Sequence, residues 1–439
     1  MSGGDGGGLA RRLGVFDATM IVMGGIIGAG IFRNPSVVAQ QVKTPNLMLG
    51  AWAAGGLIAL AGAFVYAELA QRRPEVGGQY AYIRDAFHPM AAFLYGWTLL
   101  LVTQTGGMAA VAMTFADYFR ELSGWDVPRS LVAVLTLGIL TMINCLGVRS
   151  GSNVQNALMV VKIAAILMLV VLGWRAVHGA APSLQRQGSN NFLAAMVPVL
   201  FAYGGWQTAS FVSGEMRDPE RDLPRGLLLG VLGVIVLYLA VNLVCILALG
   251  PAELEATETL ASEVMRRALG EGGARLIAAG IAVSTVGFLS QGMLTAPRVY
   301  YAMARDGVFF KGVGTLNEKT RAPVTAIALQ GIWASAIVLF FQFYGPVLNY
   351  VVALDAVFFG LTGAALLVFR RRDPAAVKGM SMPGHPFTTA IFVLAFWTLG
   401  TSTIVQFPRD AGMGVLILLL GVPVYLYWRR GTRGTGGSR

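Results

Sequence analysis

Apolar stretches of about 20 residues follow one another along the whole chain, and no other feature limits its fold as strongly. Short polar loops separate these stretches. They lie at 15–42, 47–71, 90–119, 130–148, 155–177, 191–213, 225–250, 271–303, 323–343, 346–370, 386–406 and 411–428. A helix of this length crosses the hydrocarbon core of a bilayer and satisfies its own backbone hydrogen bonds. The sequence therefore predicts an all-α integral membrane protein with 12 transmembrane helices, called spans 1 to 12 in chain order.

Composition agrees with the membrane class and argues against several other functions. Hydrophobic residues make up 55% of the chain and charged residues 13%, which is typical of polytopic membrane proteins. The formal net charge of +11 comes from Lys and Arg in short loops, where orientation explains it better than a nucleic-acid partner does. Cys145 and Cys245 lie in apolar stretches and the histidines are scattered. We therefore expect no metal site, no cofactor and no disulfide-linked subunit.

Basic residues are distributed unequally between the loops on the two sides of the predicted spans. The side that carries Arg11 and Arg12 also carries the basic runs at 370–372 and 429–430, and it holds roughly twice as many basic residues as the other side. Loops rich in Lys and Arg stay in the cytoplasm, so we expect both termini there, in a multi-pass protein of the cell (inner) membrane. We also expect no cleaved signal peptide, because no short apolar segment with a small-residue cleavage site follows the first residues.

Span 1 is interrupted by a glycine cluster at 24–32. Each glycine weakens a helix by roughly 1 kcal/mol relative to alanine, so Gly28 and Gly30 predict an unwound turn at the centre of the span. The half-helix that begins near Ile31 would direct free N–H groups at an anion. Gly24 and Gly28 also form a GxxxG pair, so simple helix packing remains an alternative. A dinucleotide-binding fingerprint is excluded, because the third glycine and the preceding strand are missing.

Span 6 carries a second interruption, at 201–206, five spans after the first. Glycine-interrupted helices at matching positions of two five-span halves indicate an inverted repeat with a substrate site at the midplane. The expected divisions are a cytoplasmic N-terminal tail at 1–14, a first five-helix repeat at 15–178, a second inverted repeat at 190–371, helices 11 and 12 at 386–428, and a cytoplasmic C-terminal tail at 429–439.

These motifs resemble the amino acid, polyamine and organocation superfamily, most closely the L-type amino acid transporter branch and its bacterial relatives. The stretch 24–32 resembles the first-span motif of that family, 201–206 the sixth-span motif, and 215–224 the loop that follows it. Weaker similarity covers 284–305 and 408–428. The resemblance implies a five-plus-five inverted-repeat fold with discontinuous helices 1 and 6, two extra C-terminal helices, and a substrate held by its α-carboxylate and α-amino groups.

The resemblance also implies which residues hold the substrate. N–H groups of span 1 would bind the carboxylate, carbonyl groups of spans 1 and 6 would accept from the ammonium, and the ring of Phe201 would close over the site as a gate. These residues are Ile26, Ile27, Gly28, Ala29, Gly30, Phe201, Ala202 and Gly204. Two broken helices offer donors at one end and acceptors at the other without a buried charge, which suits a zwitterion. Ordinary packing remains the alternative for Phe201.

Lys162 lies within span 5, where a lysine is costly unless it faces the bundle interior or water. Near the cytoplasmic end it would instead snorkel to the surface. In the family that the chain resembles, a lysine here takes the place of a bound sodium ion beside spans 1 and 8, which makes Ser284 and Thr285 its expected neighbours. We therefore expect sodium-independent transport, with proton coupling through Lys162 as an alternative.

Asp355 in span 10 and Arg33 just after the break of span 1 form a second charged set. An unpaired intramembrane carboxylate is costly, and symporters of the same fold pair an arginine with an aspartate from these spans as an extracellular gate. Asp355 would alternatively select a cationic side chain. Gln104 in span 3 is a polar pocket candidate, although packing between helices explains it almost as well.

We interpret the chain as a sodium-independent transporter that exchanges small neutral L-amino acids by alternating access, with spans 1, 2, 6 and 7 rocking against the rest. A proton-coupled amino acid symporter and a cationic amino acid or polyamine antiporter that uses Asp355 are the alternatives. An enzyme would need a clustered nucleophile, acid or metal set, and none is apparent. A sensor would need a soluble output domain, and a channel would need a continuous polar stripe. The expected partners are the substrate and the lipid bilayer.

Overall fold

The computed structural model describes residues 9–177, 190–257, 259–340, 344–375, 379–406 and 408–434. The outer parts of the two predicted tails, 1–8 and 435–439, and residue 178 at the end of the predicted first repeat lie outside these ranges. Helices account for the named elements of the described chain, and Leu13 and Met216 form an isolated parallel backbone bridge.

A helix or a pair of helices stands at each of the twelve predicted spans. In chain order they are Val15–Ile26 with Gly30–Gln41, Pro45–Arg72, Pro89–Thr98 with Gln104–Ser123, Arg129–Cys145, Val148–Gly173, Phe192–Tyr203 with Trp206–Glu215, Pro219–Ala256, Glu271–Thr295 with Pro297–Arg305, Val324–Phe340, Tyr344–Arg372, Phe387–Gln406 and Pro408–Gly434. Within the described chain, nine segments are long and apolar enough to cross a membrane, and the bent pair of span 1 makes ten. Spans 4 and 9 are shorter apolar helices.

Local sequence sets several of the helix ends. The side chain of Thr44 accepts a hydrogen bond from the N–H of Leu47 at 3.4 Å, and proline follows at the first helical position of span 2. Asn191 caps span 6 in the same way, through the N–H of Ala194 at 3.0 Å. Gly124 ends span 3 at a φ of 69°, a conformation that favours glycine.

Two short helices between the spans were not predicted. Gln79–Ala86 lies between spans 2 and 3, and Leu260–Leu269 lies between spans 7 and 8. In the second, Leu260, Ala261, Val264 and Met265 are buried on one face. Neither segment is long or apolar enough to register in a search for membrane spans.

The spans pack in groups. Spans 1, 2, 6 and 7 pack against one another, spans 3, 4, 5, 8 and 9 pack together beside them, and span 10 packs against spans 11 and 12. Spans 1 and 6 are the discontinuous helices of the five-plus-five inverted-repeat fold, and spans 11 and 12 follow the repeats. The two halves of span 1 pack against the two halves of span 6, so the breaks of these spans lie beside each other.

Glycine allows spans 1 and 6 to cross at close range. A Cβ atom added to Gly25 would lie 2.5 Å from the carbonyl oxygen of Gly205 and 2.9 Å from Oγ1 of Thr208. Gly205 itself has a φ of 114°, which side chains of L-residues rarely adopt. The contact is between backbone atoms, so it cannot adjust by a change of side-chain rotamer.

We predict that Gly25→Ala lowers the stability of the folded protein, because its methyl group would collide with the backbone of span 6. Overpacking of this kind costs about 1–3 kcal/mol. Gly107→Ala in span 3 is the matched control, since an added Cβ there meets no atom of the described residues within 4 Å. Thermal unfolding of the two purified variants in one detergent measures the difference, and equal melting temperatures would contradict the prediction.

Candidate functional site

The break in span 1 joins two half-helices that are bent by 43°. The first half-helix ends at Ile26, and Ile27 takes an extended conformation with φ −75° and ψ 96°. Gly28 and Ala29 follow before the second half-helix begins at Gly30, where no side chain caps the terminus. The first N–H groups of a helix have no partner within it, so this terminus offers donors to a ligand, as the sequence predicted.

The break in span 6 has a different form. The helix ends at Tyr203, Gly204 is extended, and Gly205 has a positive φ. The chain then continues as a 3₁₀ helix, Trp206–Glu215. Runs longer than three or four residues are uncommon for this helix type, and they often mark a functional hinge.

The two breaks adjoin each other and span 8. A Cβ atom added to Gly30 would lie 3.5 Å from Cβ of Ala202. Among the described residues, a Cβ added to Gly28 would meet only the ring of Phe288, at 3.6 Å, within a distance of 4 Å. Phe201 is 38% exposed beside the break of span 6. Phe288 was not predicted, because its place opposite Gly28 depends on how span 8 packs.

Tyr238 in span 7 is a second residue that sequence reasoning missed. Its hydroxyl lies 3.1 Å from the carbonyl oxygen of Ile26 and 3.2 Å from that of Ala202. The side chain is fully buried. One hydroxyl therefore faces a carbonyl of each break.

Lys162 belongs to span 5, and its side chain contacts spans 1 and 8. Its ammonium group donates a hydrogen bond of 2.5 Å to the carbonyl oxygen of Ile27, and the side chain is fully buried. It does not snorkel to the surface, so that alternative is wrong. A Cβ atom added to Gly287 of span 8 would lie 3.3 Å from Nζ.

The residues predicted beside Lys162 lie on the same helix as Gly287. Ser284 is one turn from Gly287, is fully buried, and has no hydrogen-bond partner for its hydroxyl in the described part of the chain. Thr285 is also buried, and its hydroxyl donates to the carbonyl oxygen of Ala282 at 2.6 Å. Both hydroxyls keep lone pairs that can accept from an ammonium group.

The carbonyl groups predicted to accept from a substrate ammonium are partly occupied. Those of Ile26 and Ala202 face the hydroxyl of Tyr238, and that of Ile27 accepts from Lys162. The carbonyl of Phe201 accepts from the N–H of Gly204 at 3.1 Å. A carbonyl oxygen has two lone pairs, so each of these groups retains capacity for a second donor.

The remaining predicted residues lie around span 3, where Leu99–Thr103 forms a π-helical turn. Such turns occur frequently at functional sites. Gln104 follows the turn, is buried, and packs against Gly292 of span 8. The hydroxyl of Thr103 lies beside the carboxylate of Asp355.

The predicted gate between Arg33 and Asp355 is not formed in this conformation. Arg33 is exposed, and among the described residues it makes no ion pair with Asp355. The neighbour of the carboxylate is instead Thr103. Because Arg33 follows the break of span 1, its distance from span 10 depends on how the two helix groups are arranged. The gate remains a prediction for another conformation.

A buried ion pair joins spans 6 and 8 on the face that holds the N-terminal segment. Arg298 of span 8 donates two hydrogen bonds to the carboxylate of Glu215 of span 6, at 2.7 and 2.9 Å, and both side chains are fully buried. The backbone of Glu215 also accepts from the N–H groups of Arg12 and Leu13. The N-terminal segment therefore covers the end of span 6.

Glu68 and Asp17 are held on the same face. The fully buried carboxylate of Glu68 accepts from Arg370 at 2.8 and 2.5 Å, from Arg72 at 3.0 Å and from the N–H of Met382 at 2.8 Å. That of Asp17 accepts from Asn156 at 2.7 Å. Glu68 thus ties span 2 to span 10, and Asp17 ties span 1 to span 5.

Comparison with known proteins gives consistent matches over nearly the whole chain. Residues 13–420 match the family model described as amino acid permease. The large neutral amino acids transporter small subunit 2 of Homo sapiens is 30% identical over 447 residues, which cover 98% of this chain and 83% of that protein. The serine/threonine exchanger SteT of Bacillus subtilis is 29% identical over 425 residues, with 95% and 97% covered.

A solved structure shares the fold at low sequence identity. It shows a Na⁺-coupled sialic acid symporter in a substrate-bound outward-open state. The TM-score is 0.57 at 13% identity, and the match covers 91% of each chain. The arrangement of the helices is therefore common to both proteins.

We predict that Arg298→Met strongly destabilises the protein, because it leaves the carboxylate of Glu215 buried without a cation. Loss of one partner of a buried pair typically costs about 3–5 kcal/mol. The double variant Glu215→Gln with Arg298→Met should recover part of this loss. Thermal unfolding in detergent measures the effect.

The matched control for that experiment is Asp117→Asn, which breaks a half-exposed pair with Arg129. Such pairs contribute at most about 1 kcal/mol. An Arg298→Met variant that melts together with Asp117→Asn would show that the buried pair contributes little.

Proposed function

The chain belongs to the amino acid permease family, and from this premise we propose that it exchanges small neutral L-amino acids across the membrane without sodium. The observation that carries the proposal is the meeting of the two breaks. Helix-terminal N–H groups at Gly30 and carbonyl groups at Ile26 and Ala202 lie within one site. A zwitterion needs these two kinds of group at its two ends.

In the proposed complex the α-carboxylate lies against the N–H groups of Gly28, Ala29 and Gly30. The space beside Gly28 supports this position, because within the described chain a methyl group there would meet only Phe288. The α-ammonium group lies toward the carbonyls of the two breaks. Phe201, at 38% exposure, has the freedom to close over a bound molecule.

The position of Lys162 supports sodium independence. Its ammonium group already donates to the carbonyl of Ile27 at the break of span 1. A sodium ion coordinated by that carbonyl would lie next to a positive charge in a site with little water, where like charges repel strongly. Lys162 therefore provides the charge that a bound cation would otherwise bring.

The relatives support neutral substrates and exchange. Their printed names describe a transporter of large neutral amino acids and a serine/threonine exchanger. For this chain we place small neutral amino acids first, because the residues predicted to hold the substrate at the two breaks carry no charged side chain. The small residues at the breaks offer no polar side-chain group that could select a long or charged substrate side chain. They are Gly28, Ala29, Gly30 and Ala202.

Alternating access would require the ion pairs of one face to open. Arg298 with Glu215 joins span 8 to span 6, and Arg370 with Glu68 joins span 10 to span 2. Each pair therefore connects the group of spans 1, 2, 6 and 7 to the rest of the molecule. We propose that rocking of this group breaks both pairs when the site opens toward that face.

The chain is a multi-pass membrane transporter. We propose that it lies in the cell (inner) membrane with both termini in the cytoplasm. The basic loops support this orientation. The proposed repeats are 15–178 and 190–371. Cys145 is half-buried in span 4 and Cys245 is buried in span 7, positions that support action without a disulfide-linked subunit.

We predict that proteoliposomes containing the protein take up labelled L-serine or L-alanine only when unlabelled amino acid is present inside. Replacing Na⁺ by K⁺ should leave the rate unchanged, because Lys162 occupies the place of the ion. Protein-free liposomes are the control. Accumulation in empty vesicles driven by an inward proton gradient would favour the symporter, and a requirement for Na⁺ would refute the role of Lys162.

Asp355 provides a separate test of substrate charge. If it serves a gate, Asp355→Asn should change uptake of neutral and cationic amino acids by the same factor, because the gate acts on every substrate. Thr103→Val, which removes the hydroxyl beside the carboxylate, is the control for polarity at that position. An effect confined to L-lysine or L-arginine in competition assays would favour the cationic amino acid antiporter.

A further inference from the structure

We propose that Gln155 of span 5 favours opening of the molecule toward the face that holds the N-terminal segment, because its side-chain amide lacks hydrogen bonds while that face is closed. The side chain is fully buried, and neither Nε2 nor Oε1 has a hydrogen-bond partner among the described residues. The inference rests on the alternating access of the proposed function. It concerns the motion of the helix groups rather than the recognition of a substrate.

Gln155 lies where the two helix groups meet. Its amide packs against Gly24 of span 1, since a Cβ atom added to that glycine would collide with Nε2. The same Cβ would lie 3.5 Å from Cγ of Gln291 in span 8, and Gln291 donates a hydrogen bond of 2.5 Å to Oγ1 of Thr208 in span 6. Spans 1 and 6 belong to one group, and spans 5 and 8 belong to the other. These four residues form a glutamine layer between the groups.

The glutamine layer lies between the substrate site and the buried ion pair. On span 5, Gln155 precedes Lys162 by seven residues, which is about 10 Å along the helix axis. On span 8, Gln291 lies between Gly287 at the level of Lys162 and Arg298 of the ion pair. A path that leads from the site to this face between the two helix groups therefore passes the glutamine layer.

The missing hydrogen bonds of Gln155 have a different cost in the two conformations. A buried amide without partners is unfavourable relative to a hydrated one. When spans 1 and 6 move away from spans 5 and 8, water reaches the glutamine layer and can bind both the donor and the acceptor of the amide. The amide therefore raises the free energy of the closed conformation relative to the open one.

This effect of Gln155 opposes that of the ion pairs on the same face. Arg298 with Glu215 and Arg370 with Glu68 hold the helix groups together, and both pairs break on opening. A protein that passes repeatedly through two conformations works best when neither is much more stable than the other. The amide of Gln155 offsets part of the stabilisation that the ion pairs give to the closed conformation.

The test replaces Gln155 by methionine, which has a similar length and no amide. Opening is measured through Ser152→Cys, because Ser152 is fully buried and lies one turn from Gln155 toward this face. The background carries Cys145→Ala and Cys245→Ala, which removes the native thiols. The full-length protein is placed in nanodiscs, where a water-soluble maleimide reaches both faces.

We expect Gln155→Met to slow maleimide labelling about tenfold, which corresponds to ~1.4 kcal/mol in favour of the closed conformation. The thermal unfolding temperature should rise. Gly24→Ala should have the opposite effect on labelling, because its methyl group would collide with the enclosed amide of Gln155 in the closed conformation. Two variants with opposite expected signs separate the effect on opening from a general loss of folding.

Tyr203→Phe is the matched control. The hydroxyl of Tyr203 is also buried without a partner in the part of the chain that the structure describes. It faces Gly56 of span 2, so it lies within one helix group and stays enclosed when the groups separate. Removing it should leave the labelling rate unchanged.

Several results would overturn the proposal. Labelling of Gln155→Met that is as fast as in the parent or faster would show that the amide does not favour opening, and so would a lower unfolding temperature. Equal slowing by Gln155→Met and Tyr203→Phe would show that any buried polar atom has this effect. Gly24→Ala labelling that is no faster would contradict the packing of the layer. Labelling needs no substrate, so its outcome is separate from the uptake assays that test the proposed function.

Discussion

The structure depends on the rule that backbone polar groups inside a membrane must find hydrogen-bond partners within the protein. Two helices are interrupted at the level of the site, and each interruption releases N–H and C=O groups from the helical pattern. Side chains from other spans satisfy some of them. Lys162 donates to Ile27, and Tyr238 faces Ile26 and Ala202. The donors and acceptors that remain are what a zwitterionic ligand would use.

Glycine makes this arrangement possible, but in two different ways. At Gly28 the lack of a side chain leaves space, because Phe288 is the only described residue that an added Cβ would meet. At Gly25 and Gly205 the lack of a side chain allows the backbones of spans 1 and 6 to lie in direct contact where they cross. The first use concerns the ligand and the second concerns packing. The GxxxG alternative for span 1 concerned Gly24 and Gly28, whereas the close contact with span 6 is made by Gly25, so that alternative stays untested.

Hydropathy was sufficient to predict where helices stand at all twelve positions, although spans 4 and 9 are shorter apolar helices, because the cost of exposing polar groups to lipid acts on each segment separately. The break in span 1 was predictable for the same reason, since glycine weakens a helix locally. Tyr238 and Phe288 were missed because their roles depend on which residues of distant spans meet them, and a tyrosine or phenylalanine in an apolar helix gives no signal of its own. The expected contact of Arg33 with Asp355 is absent here for a related reason. A sequence shows which charges need partners, but it does not show in which conformation they meet.

The charges inside the helix bundle fall into two classes with different consequences. The first class consists of complete ion pairs, Glu215 with Arg298 and Glu68 with Arg370. If the helix groups separate, each carboxylate loses its partner and is left as a poorly solvated charge. Lys162 is bound instead to a backbone carbonyl, and the carbonyl carries only a partial charge. A positive charge on Lys162 would therefore not be cancelled by that carbonyl. The pairs resist motion between helix groups, whereas in the proposed function the lysine takes the place of a mobile cation. Under that proposal the site draws on no sodium gradient, and movement of one substrate against another supplies the free energy of the cycle.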